Sequence, residues 1–363
     1  MDSRWMEASS LLLVRLDNLG DVLLCTPAFH AVKETLPDCS LTLLTSPVGV
    51  QAARLNPDLD DVIVYEAPWM DAWGRLPQDS RRELEMVELL RDRRFDGAII
   101  FTSFHQSPLP AAYLAYLAGI PLRLGASMDG SGSLLTTRLK HPEDIHMHEV
   151  VRALRLVEAE GFRTSSTSLV LSVPSSARDT SIRLLQAEGV GQSGPLVVVH
   201  PGCSMPARTY PWERFARVAD LLVEDLGCRV VLTGDEGEVD LVGMVARRMR
   251  QRAVSAVGRA SFAEFAALIS VSDLVVTNNT GPAHVAAAVG TPVVDLFALT
   301  NPPDQWRPWG VPHRLLYREV PCAKCYSRVC PFGQECLAGV QPEDVVAAAA
   351  ELLAEVGRTT HAG

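Results

Sequence analysis

The amino-acid sequence predicts an α/β protein made of two similar halves. Short apolar runs alternate with segments of helical length, which is typical of a parallel sheet covered by helices. The alternation pauses once, between Arg163 and Ser176, where Ser and Thr dominate, and then begins again. At 363 residues the chain is long for one hydrophobic core, so two domains are the default expectation.

The first half begins with an apolar run, a polar turn and a helical segment that carries apolar residues from Val22 to Leu36. The strands predicted in this half are Leu11–Leu16, Ser40–Thr45, Asp61–Tyr65 and Gly97–Phe101. The further helices predicted there are Ser80–Arg93, Ala111–Ala118 and Glu149–Gly161. We assign residues 1–170 to an N-terminal Rossmann-like domain.

The second half repeats the pattern after a short predicted strand, Leu169–Val173. Its other predicted strands are Leu196–His200, Arg229–Thr233, Leu274–Thr277 and Val293–Phe297. Its predicted helices are Ala177–Glu188, Trp212–Leu226, Val239–Arg252, Pro282–Val289 and Pro342–Val356. We assign 171–341 to a second Rossmann-like domain and treat 342–363 as a C-terminal helix and tail, a candidate to pack back on the first domain.

Composition and charge exclude several classes of protein. Hydrophobic residues make up 47% and charged residues 21% of the chain, as in a soluble globular protein. The formal charge of −10 argues against a nucleic-acid partner, because such partners need clustered Lys and Arg. No apolar run approaches the ~20 residues of a membrane span, and Met1–Ser10 lacks the features of a signal peptide. We therefore expect a cytoplasmic chain with reduced cysteines.

The turn after the first strand is one candidate site. No G-x-G-x-x-G follows the strands, and no P-loop motif is present, so dinucleotide and P-loop nucleotide sites lose their main support. Gly20 permits close approach of the backbone, and Asp21 opens a helix at the carboxyl edge of the sheet. Asp21 is either a helix cap or a general base that takes a proton from an attacking hydroxyl.

A second candidate site follows the strand that ends at His200. Gly202 and Ser204 offer N–H and hydroxyl donors to a phosphate, and Arg208 offers a planar cation for a leaving diphosphate. The alternative interpretation makes Arg208 a surface arginine in a loop. A carboxylate in Gly234–Glu238, after the next strand, is a weak candidate to bind a ribose.

The third candidate site is the turn between the strand Leu274–Thr277 and the helix that follows it. Asn279, Thr280 and Gly281 give the turn freedom and a capping oxygen, and Pro282 fits the first helical turn. Gly290 and Pro292 end the helix. The start of such a helix binds anions through its free N–H groups and its dipole, although an ordinary βαβ unit has the same pattern.

Together these stretches resemble glycosyltransferase family 9, the heptosyltransferase family. The resemblance rests on Gly20-Asp21, on His200-Pro-Gly with Arg208 and Tyr210-Pro-Trp, and on Asn279-Thr-Gly-Pro-Ala-His284 with Gly290-Thr-Pro. These motifs occur in the family's order over nearly the whole chain. The resemblance implies a GT-B type fold, with two Rossmann-like domains that face each other across a cleft.

The resemblance also implies a reaction and the residues that perform it. The C-terminal domain would hold a nucleotide sugar, usually ADP-heptose, the N-terminal domain would hold the acceptor, and transfer would invert the anomeric carbon without a catalytic metal. Asp21 matches the catalytic base, Arg208 stands where the family has a donor-binding Lys, and Thr280, Gly281 and His284 match the diphosphate site. Asn279 replaces an Asp found in many members, which leaves the donor sugar open.

Four cysteines near the C-terminus form a further candidate site. Cys322, Cys325, Cys330 and Cys336 begin as C-x-x-C and lie within fifteen residues, a spacing that allows four thiolates to surround one Zn or Fe ion. Some family 9 members similarly carry a Cys-ligated iron finger. We predict a structural metal here; the alternative is a loop of free or transiently oxidised thiols.

The sequence therefore predicts an inverting glycosyltransferase that transfers a sugar, most simply heptose from ADP-heptose, to a hydroxyl in surface-polysaccharide synthesis. The acceptor stays open among a lipid-linked glycan, another glycan, a protein and a small molecule, and a lipid-linked acceptor would bring the enzyme to the inner face of the membrane. The alternatives are a transferase or epimerase with another nucleotide sugar, and a non-catalytic nucleotide-sugar-binding protein.

Overall fold

The computed structural model describes residues 2–71, 74–77, 79–140, 146–188 and 193–360. The chain divides into two compact units, Met1–Ser172 and Val173–Gly363. The division falls inside the segment rich in Ser and Thr. Within the described residues, no helix is both long enough and apolar enough to cross a membrane.

The first unit is a parallel six-stranded sheet in the order β3-β2-β1-β4-β5-β6. The strands are β1 Ser10–Arg15, β2 Ser40–Thr45, β3 Asp61–Val64, β4 Gly97–Ile100, β5 Leu122–Ala126 and β6 Thr137–Leu139. The helices are α1 Leu19–Thr35, α2 Val50–Ala53, α3 Ser80–Arg93, α4 Leu109–Leu117 and α5 Glu149–Glu158. One core packs Leu12 and Val14 of β1 against residues of α3 and α4, and α1 packs closely on α5.

The second unit is also a parallel six-stranded sheet, in the order β12-β11-β10-β7-β8-β9. Its strands are β7 Leu196–His200, β8 Arg229–Leu232, β9 Val254–Ser255, β10 Leu274–Asn278, β11 Val293–Leu296 and β12 His313–Leu316. Its helices are α6 Ser175–Ala187, α7 Trp212–Leu226, α8 Val239–Arg248, α9 Phe262–Ser270, α10 Gly281–Val289, α11 Pro303–Trp306, α12 Glu335–Ala338 and α13 Pro342–Thr360. Two Rossmann-like α/β units confirm the predicted fold class.

Helix α13 corrects the predicted position of the C-terminal segment. Its apolar side chains, among them Val345, Ala349 and Leu352, belong to the hydrophobic core of the second unit. The helix packs on α7 and on strands of the second sheet. It is therefore part of the second unit, where burial against α7 satisfies its apolar face.

The predicted strand Leu169–Val173 is wrong. This segment is extended but joins neither sheet. Its N–H groups bond elsewhere, from Val170 to the Thr26 hydroxyl at 2.8 Å and from Ser172 to the Leu55 carbonyl at 2.7 Å. The apolar residues here therefore belong to a connecting segment. Its N–H groups donate to a side-chain oxygen and a loop carbonyl, not to a neighbouring strand.

Strand order reverses once in each sheet, between β1 and β4 and between β7 and β10. In open α/β sheets, ligands bind outside the carboxyl ends of the strands at such switch points. The turn with Asp21 follows β1, and the segments with Arg208 and with Asn279 follow β7 and β10. The topology of each unit thus directs its candidate residues to the edge where ligands bind.

Candidate active site

Asp21 lies in the first turn of α1 and is not its N-cap. The helix begins at Leu19, and Asn18 is the capping residue. Asp21 occupies the third helical position, where its Oδ2 accepts a hydrogen bond from the Asn18 N–H at 3.2 Å. This reciprocal capping box satisfies an orphan backbone donor, and Gly20 is buried in the same turn. The predicted helix start was therefore two residues too late.

An arginine that the sequence analysis did not select joins Asp21 to a second carboxylate. Arg15 is 1% exposed at the end of β1. Its Nε lies 3.0 Å from Asp17 Oδ2, and its terminal nitrogen donates to Asp21 Oδ1 at 3.1 Å. Burial works to lower the pKa of Arg15, but the carboxylates of Asp17 and Asp21 outweigh it and raise that pKa. The guanidinium therefore stays charged.

Two residues that follow β4 complete this network. Ser103 Oγ accepts a 2.5 Å hydrogen bond from Arg15, and Gln106 donates to Asp17 Oδ1 at 2.6 Å. Burial raises the pKa of Asp17, although Arg15 and the Gln106 hydrogen bond work to lower it. The β1 and β4 ends thus meet at the switch point, as the topology requires.

A small pocket in the first unit extends this network toward α5. Its lining includes Arg15, Thr102, Glu149 and Arg152. Glu149 accepts from Arg152 Nε at 3.0 Å. Burial raises the pKa of Glu149 to about 7, against the opposing charges of Arg15 and Arg152. The sequence pattern does not mark Glu149 as a buried acid, because an acidic residue is ordinary in a first helical turn.

Helix α10 of the second unit has the predicted start and end. Thr280 is its N-cap, Gly281 and Pro282 lie in its first turn, and Gly290 ends it with a left-handed backbone at φ 83°. Asn279 is 6% exposed, and its Oδ1 has no hydrogen-bond partner among the described residues. The first turn of this helix therefore has the geometry of a candidate anion site, next to a polar side chain whose oxygen has no partner among the described residues.

Arg208 lies beside this helix start. Its Nε donates to Thr300 Oγ1 at 3.0 Å, and its charge acts on His284 of α10 and on Asp295 of β11. Burial, aided by Arg208, lowers the pKa of His284 to about 4. Burial also raises the pKa of Asp295 well above its usual value. His284 is therefore neutral at pH 7, and its Nδ1 has no partner among the described residues.

The loop after β7 holds the remaining predicted donor residues. Gly202 is buried, and a methyl group at this position would collide with the Glu238 carboxylate. Ser204 is exposed in the same loop. Glu238 lies 3.4 Å from His200 Nε2. Burial works to raise the pKa of Glu238, but the hydrogen bond and charge of His200, together with the Asp235 N–H, outweigh burial and lower it. An ionised carboxylate thus lies where the weak sequence signal put one.

The four cysteines of 322–336 all line one pocket. Cys330 Sγ accepts hydrogen bonds from the N–H groups of Phe332 and Gln334, at 3.4 and 3.2 Å. Within the described part of the chain, no three His, Cys, Asp or Glu side chains are gathered in a metal-ligating arrangement. Metal binding by this Cys segment stays a prediction.

The Cys segment also contacts the Arg208 loop. The Ala207 N–H donates to the Arg328 carbonyl at 3.0 Å, and the Tyr326 N–H donates to the Thr300 carbonyl at 2.7 Å. A further hydrogen bond joins the Gln334 amide to the Pro206 carbonyl. The second unit therefore brings together Gly202, Arg208, the α10 start and the Cys segment, whereas Asp21 lies in the first unit.

Comparison with known proteins decides the family. The model of glycosyltransferase family 9 (heptosyltransferase) matches residues 84–335. The chain belongs to glycosyltransferase family 9. It is therefore a glycosyltransferase, which confirms both the predicted family and the predicted class of enzyme.

Relatives of this family 9 protein are similar over nearly their whole length. Lipopolysaccharide heptosyltransferase 3 of Escherichia coli K12 is 26% identical over 346 residues, which cover 93% of this chain and 96% of the relative. A family 9 structure from Veillonella parvula superposes with a TM-score of 0.78 at 23% identity, covering 96% and 97% of the two chains. The ADP-heptose lipopolysaccharide heptosyltransferase II of E. coli has a TM-score of 0.74 at 19% identity, covering 96% and 99%. These structures support the GT-B type of fold.

Proposed function

We propose that this glycosyltransferase moves heptose from ADP-heptose to a hydroxyl of a lipopolysaccharide-type core glycan, with inversion at the anomeric carbon. The observation that carries the proposal is the likeness, over 93% of the chain, to a lipopolysaccharide heptosyltransferase. The ADP-heptose donor is supported by the likeness to the ADP-heptose lipopolysaccharide heptosyltransferase II of E. coli. An Asp at a switch point of one unit and an anion site in the other suit this chemistry.

The reaction would be a single displacement. The acceptor oxygen attacks the anomeric carbon of the heptose while Asp21 takes the hydroxyl proton. The bond between that carbon and the diphosphate oxygen breaks, and ADP leaves with the electron pair. Attack from the face opposite the leaving group inverts the carbon, so the protein needs one base and no covalent intermediate.

The second unit would bind the donor. The N–H groups of Thr280 and Gly281 at the start of α10 would bind the diphosphate, while Pro282, which has no N–H, fixes the backbone of that turn. Arg208 would neutralise the growing charge of the diphosphate. Gly202 and Ser204 would line the same site from the β7 loop. His284 is neutral, so it would act as a hydrogen-bond partner rather than a cation. Asn279 would offer its unpartnered oxygen to a sugar hydroxyl.

The Cys segment would hold a structural zinc or iron ion through Cys322, Cys325, Cys330 and Cys336. Four thiols that line one pocket are a donor set that suits either ion. Backbone N–H bonds to Cys330 Sγ would stabilise its thiolate. The ion would brace the loops around Arg208, and we assign it no part in the transfer step.

The acceptor we propose is lipid-linked, so the enzyme would work as a peripheral protein at the inner face of the cytoplasmic membrane. Its partners would then be a nucleotide sugar and a membrane-bound glycan, with no nucleic acid. The charge of −10 is consistent with the last point.

Transfer from ADP-heptose to O-deacylated lipopolysaccharide core tests this function. The wild type should release ADP and extend the core, and Asp21→Asn should lower kcat by roughly 10²- to 10⁴-fold, since a positioned base contributes about that much. Glu264→Gln is the matched control, because Glu264 is the capping-box acid of α9. Wild-type turnover in Asp21→Asn would show that Asp21 is not the base. Absence of transfer by the wild type would show that the proposed donor or the proposed acceptor is wrong.

A further inference from the structure

We infer that Arg15 is a positioning residue that holds the Asp21 carboxylate in one orientation, with Asp17 as its second carboxylate partner. This inference rests on the proposed role of Asp21 as the base. It concerns a residue that touches no substrate and acts through another side chain.

The Arg15 guanidinium is buried and contacts three other side chains. Its side chain is 2% exposed, and it contacts Asp17 through Nε and Asp21 and Ser103 through one terminal nitrogen. β1 and β4 pair directly as far as Val14 and Ile100, and Ser103 lies three residues beyond the end of β4. One terminal nitrogen of Arg15 therefore bonds both Ser103 and Asp21, and this contact sets where Asp21 Oδ1 lies.

Asp21 is the more open of the two carboxylates. Its side chain is 13% exposed, against 7% for Asp17. Asp17 is held by Gln106 as well as by Arg15. Asp21 has Oδ1 on Arg15 and Oδ2 on the Asn18 N–H, which leaves each oxygen a lone pair. Asp17 is therefore the fixed counter-ion, and Asp21 is the carboxylate that a hydroxyl can approach.

Charge balance explains why one arginine serves two acids. Besides Asp17 and Asp21, the titratable groups that act on Arg15 are Cys25 and Glu149. Burial raises the pKa of the Cys25 thiol to about 12, so Cys25 is neutral, and Glu149 is paired with Arg152. Arg15 is thus the cation that the Asp17 and Asp21 carboxylates share.

Two variants test the inference without leaving a buried charge uncompensated. Arg15→Met with Asp17→Asn removes the ion pair as a neutral set, and Arg15→Lys keeps a charge but loses the planar fork. Arg123→Met is the matched control, because Arg123 is another buried arginine of this unit whose bonds run to backbone carbonyls such as those of Leu134 and Ser133. The assay is transfer from ADP-heptose to O-deacylated core.

We expect the double variant to lose about 10²-fold in kcat, a loss typical of a misplaced catalytic group, while KM for ADP-heptose stays within about twofold. Arg15→Lys should recover part of the loss in kcat. Values of kcat and KM equal to those of Arg123→Met in both variants would overturn the inference. Asp21→Asn distinguishes a failure of this inference from a failure of the proposed base. If Asp21→Asn is inactive while the Arg15 variants behave as the control, only the inference about Arg15 is wrong.

Discussion

The backbone at Gly202 passes so close to the Glu238 carboxylate that no side chain fits between them. Glu238 in turn bonds His200 and the Asp235 N–H. A single methyl group at Gly202 therefore has to displace the end of the Glu238 side chain.

We predict that Gly202→Ala raises KM for ADP-heptose by roughly 10-fold or more, because displacement of Glu238 breaks charge-assisted hydrogen bonds worth about 1.5–3 kcal/mol each. Initial rates over a range of donor concentrations measure this. Gly130→Ala is the control, since nothing lies within 4 Å of the added carbon there. Equal KM in the two variants would mean that Glu238 can shift freely.

At this scale the sequence predicts some residues of the site and cannot predict others. Asp21 is predictable, because a Gly-Asp pair follows an apolar run at a strand end. Arg15 is not, since a charged residue in a strand carries no local signal and its partner Ser103 lies 88 positions away. Pairs joined through a sheet become visible only when strand order is known.

His284 of α10 makes the stability of the folded protein depend on pH. Burial lowers the pKa of His284 in the folded protein to about 4, from an ordinary 6.5. The unfolded chain therefore binds the extra proton between these values. Stability from the neutral imidazole is fully present above pH 6.5 and is lost as the pH falls toward 4, a change of order 3 kcal/mol.

We predict that His284→Gln flattens this dependence. The melting temperature of the wild type should fall relative to that of His284→Gln as the pH is lowered from 7.5 to 5, by several degrees. Differential scanning calorimetry at a series of pH values measures the gap. His146→Gln, at an exposed histidine, should follow the wild type. A gap that does not change with pH would mean that the pKa of His284 is the same in the folded protein as in the unfolded chain.

The Cys segment is the other element that acts on the donor site, through its hydrogen bonds to Ala207 and Thr300. We predict about one equivalent of Zn or Fe in protein purified without a His tag, and loss of this metal in Cys322→Ser with Cys325→Ser. Metal analysis should show the loss of the ion. ADP titration should show weaker binding, since the Cys segment no longer holds the loop that carries Arg208. Cys228→Ser, at a buried cysteine outside the segment, is the control. Metal-free wild-type protein with unchanged ADP affinity would contradict this prediction.

Elements with a clear periodic pattern were the most predictable. Strand β2 has its predicted bounds, and α3 does too. Strands β5, β6, β9 and β12 and helix α9 were not predicted. Of these, β6 and β9 have only three and two residues of mixed polarity, which give no periodic signal. The position of the Cys segment beside Arg208 was equally invisible, since it depends on backbone bonds between distant loops.

For the whole molecule, the division into two units separates the proposed donor residues from the proposed base. ADP should therefore stabilise the second unit, Val173–Gly363, and protect its amides from hydrogen exchange at Gly202, Arg208 and the α10 start. At 100 times its Kd, ADP adds about 2.7 kcal/mol to the stability of the unit that binds it. For a unit of this size that raises the melting temperature by roughly 5–10 °C.

Calorimetry and hydrogen exchange with ADP, UDP, GDP and dTDP measure the effect and its selectivity. Stabilisation by UDP or GDP but not ADP would overturn the proposed donor while preserving the site, whereas no stabilisation by any of the four would remove the donor site from the second unit.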